Sequence, residues 1–84
     1  MQKLCKPVAV SPSDVNRENA IMGDGTSAEY ILVGTAGAVA FVLEDNTTWT
    51  ASTVAAGQFL IMPAFRGILA TGTSAANIEV TRRR

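Results

Sequence analysis

Between residues 53 and 76 the chain reads Thr-Val-Ala-Ala-Gly-Gln-Phe-Leu-Ile-Met-Pro-Ala-Phe-Arg-Gly-Ile-Leu-Ala-Thr-Gly-Thr-Ser-Ala-Ala. Two apolar runs are bracketed by the turn residues Gly57 and Gly72 and interrupted at Pro63. Neither run carries the three- and four-residue spacing of an amphipathic helix, and their punctuation is that of β-strands. The segment holds no acid and base pair, no metal-ligand cluster and no phosphate loop. It specifies architecture, so function has to come from what that architecture assembles into.

The flanking segments read the same way. In residues 38–44, Val39, Phe41 and Leu43 alternate with Ala38, Ala40 and Val42. One face of this strand is bulky and suits a core, and the other is small enough for a second layer or a subunit to approach. Asp45-Asn46 predicts a two-residue hairpin loop, because both residues tolerate left-handed backbone, and Thr47-Thr-Trp-Thr50 has the propensity of the returning strand. Residues 30–33 and 77–81 add two strands, while 58–62 and 65–70 are read as two more, separated by Pro63, which cannot donate a ladder hydrogen bond. About six short strands at this spacing predict an all-β fold, a small single-domain β-sandwich or barrel. The similarity of Ile31-Leu-Val-Gly-Thr-Ala to Ile68-Leu-Ala-Thr-Gly-Thr is that of strands ending in Gly-Thr turns, not of a repeat.

Ahead of the β domain (residues 11–81), residues 1–10 read as an extended N-terminal arm, since Pro7 and Pro12 push their predecessors toward β or polyproline geometry. Ser11-Pro-Ser-Asp-Val-Asn-Arg-Glu-Asn offers N-cap residues for a single helical turn and fits a turn-rich loop equally well. Residues 82–84 form a basic tail, Arg82-Arg-Arg84.

Size limits what such a domain achieves alone. The chain has 84 residues, 48% of them hydrophobic and 17% charged, which places it among ordered domains but at a length where the core leaves little net stability. Cys5 has no partner for an internal disulfide, and the absence of His removes the usual zinc combinations. Oligomerisation is the remaining route to stability, so a homo-oligomer is expected. Seven Lys and Arg balance seven Asp and Glu, which leaves no global field for nucleic acid or an anionic membrane. No apolar run approaches a bilayer span and no signal-peptide h-region opens the chain, so synthesis in a cytoplasm as a soluble protein is expected.

Rival chemistries lack their residues. Gly23-Asp-Gly25 with Glu44 and Asp45 has no calcium-loop spacing and reads as solvated turns. Ser11, Ser13, Asp14 and Glu18 have no His and no nucleophile elbow beside them, so they read as turn and cap residues; no catalytic or metal site and no cofactor is expected. Trp49 and Tyr30 invite comparison with an oligonucleotide-binding groove, but no basic track accompanies them, and Trp49 reads as a core or interface anchor. Arg66 suits an inter-subunit ion pair or an exposed strand charge. Arg82, Arg83 and Arg84 suit an acidic partner patch or a solvated terminus. Cys5 reads as a reduced, small apolar side chain.

The order Ser11-Pro-Ser-Asp14, Tyr30-Ile-Leu-Val-Gly-Thr-Ala-Gly37, Ala55-Ala-Gly57 before a strand with Pro63, and Arg66-Gly-Ile-Leu-Ala-Thr-Gly-Thr-Ser-Ala75 resembles small spike base proteins, head-decoration proteins of tailed phages and gene transfer agents. The resemblance spans about residues 7–80. Residues 16–25 are longer and more polar than that pattern, and the last residues are basic where it is apolar or aromatic. The resemblance implies a virion structural protein on the capsid exterior, made in the host bacterial cytoplasm. It implies a ring at a vertex whose partners are the major capsid protein and a spike or fibre protein. A glycan-binding or host-adhesion β module is the alternative, motivated by Trp49.

Overall fold

A computed structural model describes residues 4–22 and 25–83 of the chain. Six strands form one antiparallel sheet: β1 (Val8–Val10), β2 (Ala28–Thr35), β3 (Gly37–Leu43), β4 (Thr48–Val54), β5 (Leu60–Leu69) and β6 (Ala76–Thr81). Their order across the sheet is β1-β6-β2-β5-β3-β4, so the fold is all-β. The sheet does not close, and β1 and β4 remain as its two edges. A sandwich or barrel describes it only loosely.

What lets one sheet enclose a core is β5. Its first half pairs with β2, from Leu60 opposite Ile31 to Phe65 opposite Ala28, and its second half pairs with β3, from Phe65 opposite Leu43 to Leu69 opposite Ala40. Residues before and after that corner both return to the β2–β3 junction: Gly57 N–H donates to Val33 C=O, and Ser74 N–H to Ala38 C=O. The sheet therefore doubles over a single apolar cluster to which both halves contribute, with Ile31, Val33, Ile78 and Val80 from one and Val39, Phe41, Val54 and Ile68 from the other. Pro63 does not divide β5 into two strands as the sequence suggests. It is exposed and lies in the bulge where the register against β2 slips, so its missing N–H removes no ladder bond.

The sixth strand comes from the arm instead. Val8 to Val10 pair with β6, Cys5 N–H donates to Arg82 C=O, and Thr81 Oγ1 donates to Cys5 C=O at 2.6 Å. Met1 to Lys3 lie outside the described residues. The hairpin after β3 also differs in detail: Asn46 N–H donates to Leu43 C=O and Leu43 N–H to Thr47 C=O, so the loop has three residues. Asn46 takes the left-handed position at φ 70°, the geometry of a type I turn closed by a bulge residue.

β3 is buried on both faces, as its alternation suggests, and the second layer is the chain's own. Ala40 and Val42 face outward yet are 4% and 0% exposed. Residues 11–20 form turns without a helix and cross the sheet so closely that a Cβ on Gly67, the cross-strand neighbour of Val42, would lie 2.1 Å from the Arg17 carbonyl oxygen.

Candidate functional site

Past Phe65 the edge of β5 that faced β2 has no strand beside it, and residues 11–20 take that place. The Asn19 side chain accepts from Ile68 N–H at 2.7 Å and donates to Ile68 C=O at 3.0 Å, presenting donor and acceptor as a neighbouring peptide would. Ser13 N–H and Ala20 N–H add bonds to the carbonyls of Ile68 and Arg66. Asp14 closes the clip, accepting from Thr71 N–H at 2.9 Å and from Thr71 Oγ1 at 2.6 Å. These Thr71 bonds, the hydroxyl first, hold the Asp14 carboxyl below its ordinary pKa. At the hairpin, Thr47 does the same for Asp45 through its hydroxyl and amide.

Arg66, Arg82 and Arg83, singled out in the sequence, are engaged within the chain. Arg66 pairs with Glu18 at 3.5 Å, tying the same clip to β5. Arg82 pairs with Glu29 at 3.4 Å and donates from Nη1 to Ser27 C=O, while its Nε is buried without a partner. Arg83 is bridged to Leu4 through the backbone, with its guanidinium 5.7 Å from the centre of the Tyr30 ring. Arg84 lies outside the described residues. The basic end of the chain is thus docked against the sheet as far as Arg83.

Trp49 stands on the rim. It lies opposite Phe41 in the β3–β4 ladder and shares its face, and the two rings stack at 5.6 Å with 16° between their planes. Phe41 in turn contacts Phe65 at 4.8 Å, so three aromatics run from the sheet edge into the core. Phe41 and Phe65 are fully buried and Trp49 is 41% exposed. The tryptophan is both a core extension and a surface group.

These residues do not converge. Arg66 belongs to the clip, Arg82 and Arg83 to the arm, and Trp49 to the opposite edge of the sheet. Two surface features carry no sequence signal of their own. An open groove of about 760 Å³ runs along the outer face of β1, β6 and β2, over Ala9, Leu32, Gly34, Asn77 and Glu79. The other feature is the outer edge of β4, which among the described residues pairs only with β3. Among the described residues no three His, Cys, Asp or Glu side chains gather as metal ligands. Both features offer contact, through apolar surface or backbone hydrogen bonds.

No family model matches the chain, and neither a curated protein nor a solved structure does.

Proposed function

We propose that the chain is a structural protein of a phage-type particle: a homo-oligomeric decoration or spike base on the capsid exterior. Its partners in this reading are the major capsid protein and a spike or fibre protein. One observation carries it. The segments that resemble small spike base proteins come together in the fold as two structural joints: Ser13 and Asp14 bind Ile68 and Thr71, and Gly57 binds Val33. The resemblance therefore rests on residues that hold the scaffold, which is what a family defined by a shape and its contacts would preserve. An open sheet with a free edge suits a subunit that gains by association.

The glycan-binding alternative draws on the exposed part of Trp49. Its ring lies on the inner face of the sheet with Phe41, whereas the neighbouring Thr48 and Thr50 side chains alternate to the outer face. Aromatic platform and hydroxyls are thereby separated, which favours the structural reading. Immuno-electron microscopy of particles purified from cells carrying this gene is the test. Label clustered on the outer capsid surface is expected; particles free of the chain, or a purified chain that binds a glycan array and no capsid, would replace this reading.

A further inference from the structure

Edge strands expose backbone groups that pair with any suitable strand, and proteins usually blunt them with brevity, charge or proline. β1 follows that rule, being three residues long with Pro7 and Pro12 on either side. β4 does not. It is seven residues long, Thr-Trp-Thr-Ala-Ser-Thr-Val, and lies in a run from Asn46 to Phe65 with no charged residue. All of it but Ala51 and Val54 is exposed, and its register irregularity lies past Ala51.

The backbone directions on this edge follow from the hairpin. Leu43 N–H donates to Thr47 C=O, and bonding alternates along an antiparallel ladder. Thr47, Trp49 and Ala51 therefore direct their backbone groups to β3, and Thr48 and Thr50 direct theirs outward, while Ser52 opens the irregular stretch. We propose that β4 pairs with β4 of a second copy of this chain, antiparallel about a twofold axis at Thr50. That register sets Thr50 opposite Thr50, where each outward donor meets an outward acceptor, and Thr48 opposite Ser52 at the start of the irregular stretch. On the inner face it sets Trp49 opposite Ala51 of the second copy, a half-exposed ring beside a small residue. On the outer face hydroxyl meets hydroxyl, a favourable cross-strand pair. No like charges oppose each other. β1 cannot replace the second β4, because its three residues offer a shorter ladder.

This inference does not rest on the virion reading. An isologous contact closes at two copies, so a larger assembly that uses it is built from pairs. Sedimentation equilibrium from about 1 μM to about 1 mM, the span of weak to moderate affinities, tests it with wild type, Thr50→Pro, Thr50→Lys and the control Val15→Lys. Thr50→Pro removes a central outward N–H, and Thr50→Lys places facing charges at the axis without touching the core. A wild-type and Val15→Lys dimer is expected, with a shift of Trp49 emission to shorter wavelength as it forms. Both Thr50 variants should raise the dissociation constant at least ~10-fold with unchanged circular dichroism. If Thr50→Pro unfolds, Thr50→Lys alone decides. A wild type that stays monomeric, or a dimer with the same constant in a folded Thr50→Lys, overturns the proposal. A larger oligomer that survives Thr50→Lys also removes β4 from assembly while leaving the virion reading intact.

Discussion

At position 19 a carboxamide stands where a strand would otherwise be. Asn19 meets both backbone groups of Ile68, and neither Ala nor Asp reproduces that pair: Ala leaves the Ile68 N–H unmet and its carbonyl to Ser13 N–H alone, and Asp sets an oxygen against the Ile68 carbonyl. Asn19→Ala is expected to lower stability by about 1–3 kcal/mol, read from urea denaturation, and Asn19→Asp by no less at neutral pH. Asp14 ties the same segment through Thr71, and its sign follows from its lowered pKa. A carboxyl whose folded pKa is depressed contributes stability that is fully present above the unfolded value, about 3.9, and is lost as pH falls through the folded value. Melting temperature should therefore decline in acid below that point. Asp14→Ala should melt lower at neutral pH and show a shallower acid decline, leaving Asp45 to account for part of the remainder. Equal acid slopes in the two proteins would remove Asp14 from the account.

Among the elements, β3 and β4 show how position in a sheet sets the value of an aromatic residue. Phe41 and Trp49 are cross-strand partners, but Phe41 is fully buried between two rings while Trp49 has one flank in solvent. Phe41→Ala is expected to cost roughly 3–5 kcal/mol, the range for a buried aromatic. Trp49→Ala should cost clearly less, about half of that, since 41% of the residue is exposed before any change. The comparison belongs in a Thr50→Lys background, where strand pairing between copies does not contribute. A Trp49→Ala loss as large as that of Phe41→Ala would mean that Trp49 is covered in solution. β5 carries the complementary lesson: Pro63 reads as a break in a list of residues, yet a strand that changes partners at a corner accommodates it in a bulge.

For the whole molecule, the decisive contacts join the two ends of the chain. The arm supplies Val10 to the core and covers the free side of β6, and Thr81 is fully buried with its hydroxyl on Cys5. Removing residues 1–10 is expected to cost about 2 kcal/mol or more and to cause aggregation through the uncovered β6 edge, checked by urea denaturation and light scattering. A truncated chain as stable and soluble as the parent would show the arm to be an appendage.

Periodicity and turn chemistry determined the all-β class, the presence of a hairpin at Asp45-Asn46 though not its loop length, and the strand buried on two faces, because each depends on neighbours within a few residues. Tertiary structure decided the rest. Whether Pro63 ends a strand, whether Trp49 is covered and whether Arg66, Arg82 and Arg83 are free depends on partners such as Ala28, Phe41, Glu18, Glu29 and Tyr30, some of them far along the chain. A sequence states how strongly a segment prefers to extend and which face is apolar; it does not state which strand lies beside it. The open edge at β4 exists only because Gly37–Leu43 has β5 on its other side and nothing follows Thr48–Val54 in the sheet.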